Sequence, residues 1–195
     1  MKEQLATLLS QSSPRSLQES ISAHACVALI LRGKDWPVME LGFIQRAHDP
    51  QDRWSGQLAF PGGRREESDP SDIAAALRET SEEVGIHLSV QDLAGRLDDI
   101  QARKAGSLLD FYIRPFVFHT EQEHAVKLDA TEVADFFWVP VKELINPARK
   151  TQYTLHRESD LVSLPALYLD REPPLWGLTY MMVLDLLQRL RLITD

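Results

Sequence analysis

The chain has 195 residues, 44% hydrophobic and 26% charged. That composition supports one domain with a buried core and excludes bulk disorder. The balance of 21 Lys+Arg against 29 Asp+Glu gives a net charge of −8, which argues against a broad electrostatic footprint for nucleic acid or an anionic membrane. The lone cysteine, Cys26, cannot close an internal disulfide and points to a reducing compartment.

The opening MKEQLATLLSQSSPRS lacks the unbroken apolar stretch of a signal peptide. No later apolar run reaches the length that spans a bilayer as a helix. The sequence therefore reads as cytoplasmic, with bacterial cytosol the simplest case. Residues 3–22 read as one or two short helices broken at Ser13-Pro14. They form an N-terminal helical extension (1–22) ahead of the main domain (23–195). Cys26–Leu31 and Met39–Gln45 read as strands joined by a turn over Gly33–Pro37. A polar loop follows over 47–57, then a short extended piece, Leu58–Phe60, ending at Pro61-Gly62-Gly63. A helix is expected over Pro70–Val84, with Asp69 as N-cap, Pro70 at the first helical position and Asp72 completing a capping box. Gly85 ends it in the left-handed conformation.

Further strands are expected around Arg96–Gln101, Leu109–Phe118, Ala134–Val139 and Leu164–Leu169. A short helix is expected near Val141–Ile145. Leu178–Leu192 reads as a terminal helix apolar on most faces, hence well buried. This order predicts an α+β fold, an α/β/α sandwich with a mixed sheet, a central helix and a C-terminal helix.

The chemistry lies in the central helix and the loop before it. At about 100° per residue, Ile73, Ala76, Leu77, Thr80 and Val84 share one face. Glu79, Glu82 and Glu83 gather on another. Like charges on adjacent turns repel, and a divalent cation removes the penalty. Hard oxygen donors select Mg²⁺ or Mn²⁺. A solvated acidic face is the plainer reading of such a helix, but it leaves the preceding Gly62-Gly63 and Arg78 unexplained. Paired glycines let backbone groups approach a metal or phosphate, and Arg78 can hold a glutamate in place.

This segment resembles the Nudix box, G-x5-E-x7-R-E-U-x-E-E-x-G-U, where U is a bulky aliphatic residue. Arg78-Glu79, Glu82-Glu83, Gly85 and Ile86 match it. Thr80 replaces an aliphatic residue, Asp69 stands where the upstream glutamate is expected, and eight residues rather than seven separate Asp69 from Arg78. The stretch Gly56-Gln57-Leu58-Ala59-Phe60-Pro61-Gly62-Gly63 and Arg46 are similar to the coenzyme A pyrophosphatase branch. So are Glu132-Val133, Trp138-Val139-Pro140 and Trp176-Gly177-Leu178-Thr179. Asp52 and Trp54 depart from the basic residue and histidine of that branch's signature.

The resemblance implies metal-dependent hydrolysis of a nucleoside diphosphate linked to another moiety, coenzyme A or a derivative being one candidate. Glu79, Glu82 and Glu83 would ligate Mg²⁺ or Mn²⁺, with the carbonyl of Gly62 or Gly63 as a further donor. Glu82 or a distant glutamate (Glu121, Glu123 or Glu132, best Glu132) would be the base. Arg78 would serve the catalytic helix. Arg46, Arg64, Trp54 and Gln57 are the candidate substrate contacts. Arg64 and Arg65 can equally pair with Glu66 or Glu67. Arg53, Arg103 and Lys104 read as solvated surface, and the six histidines carry no metal spacing. No nucleic-acid or membrane partner is expected. The terminal helix and residues 3–22 offer a face for a homodimer. The alternative is a Nudix-fold domain that binds a nucleotide or protein without catalysis. The three intact carboxylates count against it.

Overall fold

The computed structural model describes residues 1–50, 54–104, 107–157 and 160–194. Its organising strand is β1 (His24–Arg32), apolar along nearly its whole length. Such a run, rather than an alternating one, is what a strand covered on both faces requires. Successive side chains point to opposite faces. Val27, Leu29 and Leu31 enter one core cluster, while Cys26, Ala28 and Ile30 enter the other.

The main sheet is mixed and eight-stranded. β2 (Glu40–Arg46) lies antiparallel to β1, and β3 (Leu58–Ala59) to β2. β4 (Gly62–Arg64) pairs antiparallel with the first half of β1. A turn of 3₁₀ helix at Trp36–Val38 links β1 to β2. Beyond β4 comes α1's successor in the chain, but the first helix, α1 (Lys2–Leu9), precedes β1 and the second, α2 (Asp72–Val84), follows β4. β5 (Leu93–Arg96), β6 (Ile100–Lys104) and β7 (Ser107–Thr120) come next. β7 runs parallel to β1, and both β5 and β6 pair antiparallel with β7. β8 (Val133–Pro140) pairs with β2 and leads into α3 (Val141–Leu144). A second sheet holds β9 (Lys150–Arg157), β10 (Asp160–Leu167) and β11 (Leu175–Trp176), and α4 (Gly177–Arg189) follows.

Two cores sandwich the main sheet. On one side Leu5 and Leu9 of α1 and Val183, Leu186 and Leu187 of α4 pack on Val27, Leu29 and Leu31. On the other, Ala75, Ala76 and Val84 of α2 pack on Cys26, Ala28 and Ile30. This is the expected α/β/α arrangement. No described helix is long and apolar enough to cross a membrane.

Several local expectations change. The helix starts two residues later than Pro70, and its cap is Ser71, whose side chain accepts from the Ala74 amide at 3.1 Å. A cap of that kind contributes about 1 kcal/mol. Asp69 is drawn instead into an ion pair. The expected strand over Arg96–Gln101 divides into β5 and β6 around Asp98-Asp99. After α1 no second helix forms before β1; residues 14–18 are held by side chains of the main sheet. β4 and β9 were not expected as strands.

The break at Asp99 has a physical cause. Asp99 is fully buried and accepts from Arg114 Nε at 2.9 Å and Nη2 at 2.7 Å. It also accepts from the Leu17 amide at 2.8 Å and from Arg96 at 3.1 Å. Arg114 reaches Ser16, Gln18 and Asp72 as well. A strand running straight through would leave these charges unpaired at high cost. Asp99→Ala, which removes the bidentate partner of the buried Arg114 and leaves Asp72 alone to oppose its charge, is expected to destabilise the fold by about 3 kcal/mol. Urea unfolding of the variant against the parent measures it.

Candidate active site

The site forms where β4 meets α2. Gly62 has φ +144°, and a Cβ there would lie 2.3 Å from the Cys26 carbonyl oxygen, so only glycine fits. With no side chain in the way, the Gly62 amide donates to Glu83 Oε2 at 2.8 Å. At Gly63 a Cβ would stand 2.4 Å from Glu79 Oε1. The two glycines thus bring the β4 backbone against two carboxylates of α2. Gly85 closes the helix at φ +69°, as expected, and Ile86 folds back fully buried.

Glu83 is 2% exposed. Burial pushes its carboxyl up to about 8, which the Gly62 amide only partly offsets. Burial also raises Glu79, against the pull of Arg78. The charge of Glu132, which sits just ahead of β8, adds to both shifts, and that of Arg46 at the end of β2 lowers Glu83. Glu82 is solvent-facing, its side chain 59% exposed.

Arg78 organises the acidic face. Its Nε and Nη2 donate to Asp69 Oδ1 and Oδ2, both at 3.0 Å, a bidentate pair on a nearly buried carboxylate. Its Nη1 donates to Glu79 at 3.0 Å and Glu82 at 2.9 Å, and its Nη2 to the Arg64 carbonyl at 3.3 Å. The bond to Asp69, followed by those to the glutamates, holds Arg78 firmly charged. Asp69 is held below the usual carboxylate range by Arg78 first. A guanidinium thus stands between Glu79 and Glu82, while Glu79 and Glu83 both lie against β4. Asp69 is the residue that sequence reasoning misassigned. The signal was its spacing from Gly63, which matches the upstream glutamate of the box.

The other candidates separate clearly. Arg46 stands at the bulge between Gln45 and Arg46, where its amide donates to the Gln57 carbonyl at 3.0 Å. Gln57 in turn donates to the Trp54 carbonyl at 3.1 Å, and Trp54 is 39% exposed. These three share one loop base. The Ala47 amide donates to the Glu132 carbonyl at 2.8 Å, joining that base to Glu132. Glu121 lines a separate cavity of about 400 Å³ beside Met1 and Lys2. Glu123 is exposed beyond β7. Arg64 is not brought to the glutamates: its guanidinium lies 4.8 Å over the Phe111 ring. Alternation explains this, since Gly63 faces α2 and the next residue faces away. Arg65 pairs with Asp72 at 3.2 Å rather than with Glu66 or Glu67. Asp52 and Arg53 lie outside the described residues, as does the side chain of Lys104.

A divalent cation fits this donor set. The carboxylates and the Gly63 carbonyl are hard oxygen donors. Two of the carboxylates are buried enough to hold protons above their ordinary range, and a positive charge would relieve that cost.

Comparison with known proteins agrees with the geometry. Residues 23–159 match the model of the NUDIX domain family, and the chain belongs to that family. It is 34% identical over 163 residues to an uncharacterised protein of Schizosaccharomyces pombe, covering 74% of this chain and 50% of the relative. A probable Nudix hydrolase of the same yeast is 33% identical over 125 residues, covering 64% and 42%. The uncharacterised Nudix hydrolase NudL of Yersinia pestis is 29% identical over 146 residues, covering 75% and 70%. The chain spans half or less of the two yeast relatives. Among solved structures, a MutT/nudix family protein from Enterococcus faecalis superposes with TM-score 0.59 at 16% identity, covering 93% of this chain and 65% of that one. The NUDIX domain of Shewanella oneidensis NrtR, complexed with ADP ribose, superposes at 0.50 with 18% identity, covering 72% and 85%. At those identities the two superpositions establish the fold alone.

Two measurements test the site. Gly63→Ala is expected to leave the circular dichroism spectrum unchanged while displacing Glu79, weakening Mn²⁺ binding about tenfold by titration calorimetry. Glu83 favours its protonated form in the fold, so its contribution to stability is full below about pH 4.5 and is lost as pH rises through about 8. Metal-free Glu83→Gln, which cannot ionise there, is therefore expected to melt progressively higher than the parent across that window, with the largest gap at pH 9.

Proposed function

We propose that the chain is a divalent-cation-dependent pyrophosphohydrolase that cleaves the diphosphate bond of a nucleoside diphosphate linked to another moiety. The observation that carries this reading is the pair of carboxylates, half-buried Glu79 and buried Glu83, both raised by burial and laid against a diglycine strand. Such a site binds a polyanionic diphosphate only through an intervening positive charge.

Glu79, Glu82, Glu83 and the Gly63 carbonyl would hold Mg²⁺ or Mn²⁺. Bound there, the ion polarises phosphoryl oxygens and lowers the pKa of water. The protein's own residues do the rest. Asp69 fixes Arg78, and Arg78 fixes Glu79 within α2, so the carboxylate is in position before substrate arrives. Glu132 accepts a proton from the attacking water; its charge acts on both Glu79 and Glu83, and its carbonyl is anchored by Ala47. Arg46 supplies positive charge beside Glu83 for a phosphoryl oxygen. Trp54 presents an aromatic face from the adjoining loop for a base or other flat group, and Gln57 shapes the same loop. Arg64, turned onto Phe111, has no part in this reading.

For the leaving moiety, coenzyme A or a derivative follows from the likeness of the 56–63 loop to the coenzyme A pyrophosphatase branch, with Asp52 and Trp54 as departures. ADP-ribose, the ligand complexed with the Shewanella domain, belongs in the same panel. The test is phosphate-ester product analysis over coenzyme A, ADP-ribose, dinucleoside polyphosphates and NADH with Mg²⁺ or Mn²⁺. At least one is expected to turn over. Glu82→Gln and Glu83→Gln are each expected to lower kcat by more than about a hundredfold with the fold intact. Undiminished turnover in both variants would remove the proposal.

A further inference from the structure

No helix or strand forms over residues 121–132, the segment that ends at Glu132. Two of its amides instead bond open carbonyls at the end of α2. Lys127 donates to Val84 and Asp129 to Glu83, both at 2.9 Å. The last carbonyls of a helix have no partner within it and need one from outside. Between the two bonds Leu128 is half-buried against the core cluster of α2. Gly85 takes part a second time. A Cβ there would stand 3.0 Å from the Lys127 Cβ and 3.1 Å from its nitrogen and oxygen, so the residue that ends the helix also admits the segment. Glu83 is thereby held from two directions: its side chain by the Gly62 amide, its carbonyl by the Asp129 amide.

The backbone of Glu132 is held from two directions as well. Its amide donates to the Asp129 carbonyl at 3.1 Å, as does that of Val133 at 2.9 Å. Its carbonyl accepts from Ala47 at 2.8 Å. A side chain closes the turn: Asp129 Oδ1 accepts from the Thr131 amide at 2.9 Å and from the Thr131 hydroxyl at 2.6 Å. An aspartate that bonds the backbone two residues on shapes such a turn locally. Asp129 thus ties its amide to α2, its carbonyl to the Glu132 amide and its carboxylate to Thr131. Asp129 and Thr131 are both exposed, and exposed positions contribute little to overall stability.

We infer that Asp129 is the positioning residue for Glu132, holding the turn that bears it against the end of the helix that carries Glu79, Glu82 and Glu83. The inference rests on the reading of Glu132 as the base of a pyrophosphohydrolase. Glu132 is close enough for its charge to act on Glu79 and Glu83, yet it is exposed and has no core packing to fix it. With its backbone fixed relative to Glu83, only its own side-chain torsions remain to be set at the moment of reaction. The orientation is built into the fold, and a misplacement of about 1 Å costs up to about a hundredfold in rate. Asp129 takes no proton and acts only through Glu132.

The test compares variants of the full chain on a substrate of the panel that the parent turns over. Asp129→Ala is expected to lower kcat about tenfold with KM and Mn²⁺ affinity unchanged. Asp129→Asn keeps the oxygen that accepts both bonds and is expected to stay within about twofold of the parent. Glu132→Gln is expected to be about a hundredfold slower. Adding Asp129→Ala to it should change kcat by less than about twofold, because the displaced side chain no longer reacts. Hydrogen exchange on the metal-free chain gives a readout apart from activity. The Glu132 and Val133 amides should exchange at least about fivefold faster in Asp129→Ala and at the parent rate in Asp129→Asn. Thr131→Ala, which removes the hydroxyl bond alone, supplies the same comparison if Asp129→Ala does not fold. Equal kcat losses from Asp129→Ala with and without Glu132, an asparagine variant as slow as the alanine one, full activity in Glu132→Gln, or unchanged exchange would each overturn the inference and leave the hydrolase reading standing. A parent that turns over nothing removes that reading and this inference together.

Discussion

Two missing Cβ atoms set the geometry on which the site depends. A methyl group at Gly62 would collide with the β1 backbone, and one at Gly63 with the Glu79 carboxylate. Their absence lets β4 sit between β1 and α2 as a bare peptide ribbon. One amide of that ribbon bonds Glu83, and the next residue leaves room for Glu79. Buried carboxylates are costly unless something opposes their charge. Here the backbone supplies only one amide, so the helix retains a standing demand for positive charge where a diphosphate would arrive.

The arginine on the same helix answers part of that demand. Arg78 is gripped from behind by Asp69 and offers its remaining edge to Glu79 and Glu82. The side chain therefore both steadies the carboxylates and keeps two of them apart. The segment between Asp69 and Arg78 is one residue longer than the box expects, and the bidentate pair between them still forms. The substituted Thr80 is accommodated equally simply. It is fully buried, and its hydroxyl donates to the Ala76 carbonyl at 2.7 Å, so the position buries no unpaired polar group.

Much of this was legible in the residues. The apolar run of β1, the glycine stop at Gly85 and the acidic face of α2 are local patterns, and local patterns survive folding. What was not legible is tertiary. Asp69 and Ser71 are both good helix caps; only the guanidinium nine residues ahead decides which is used. Asp98 and Asp99 turn the chain because Arg114, Arg96 and the Leu17 amide wait around Asp99, and nothing in the local sequence announces them. β9 was missed because its outward positions are polar and its second sheet is only half covered, which blurs the alternation. β4 was missed because glycine carries no strand signal. Arg64 neighbours Gly63 in sequence, but a one-residue step along a strand reverses a side chain's direction, and its guanidinium lies over Phe111.

The knot around Arg114 bears on how the protein is made. Ser16 and Leu17 are bound to partners 82 to 98 residues further along the chain. They are made before those partners and have nothing to hold until Asp99 and then Arg114 of β7 have been synthesised, so this segment settles late. During that wait the wall behind α2 is open, and a nascent chain that stalls before residue 114 presents an unfinished edge to chaperones and proteases.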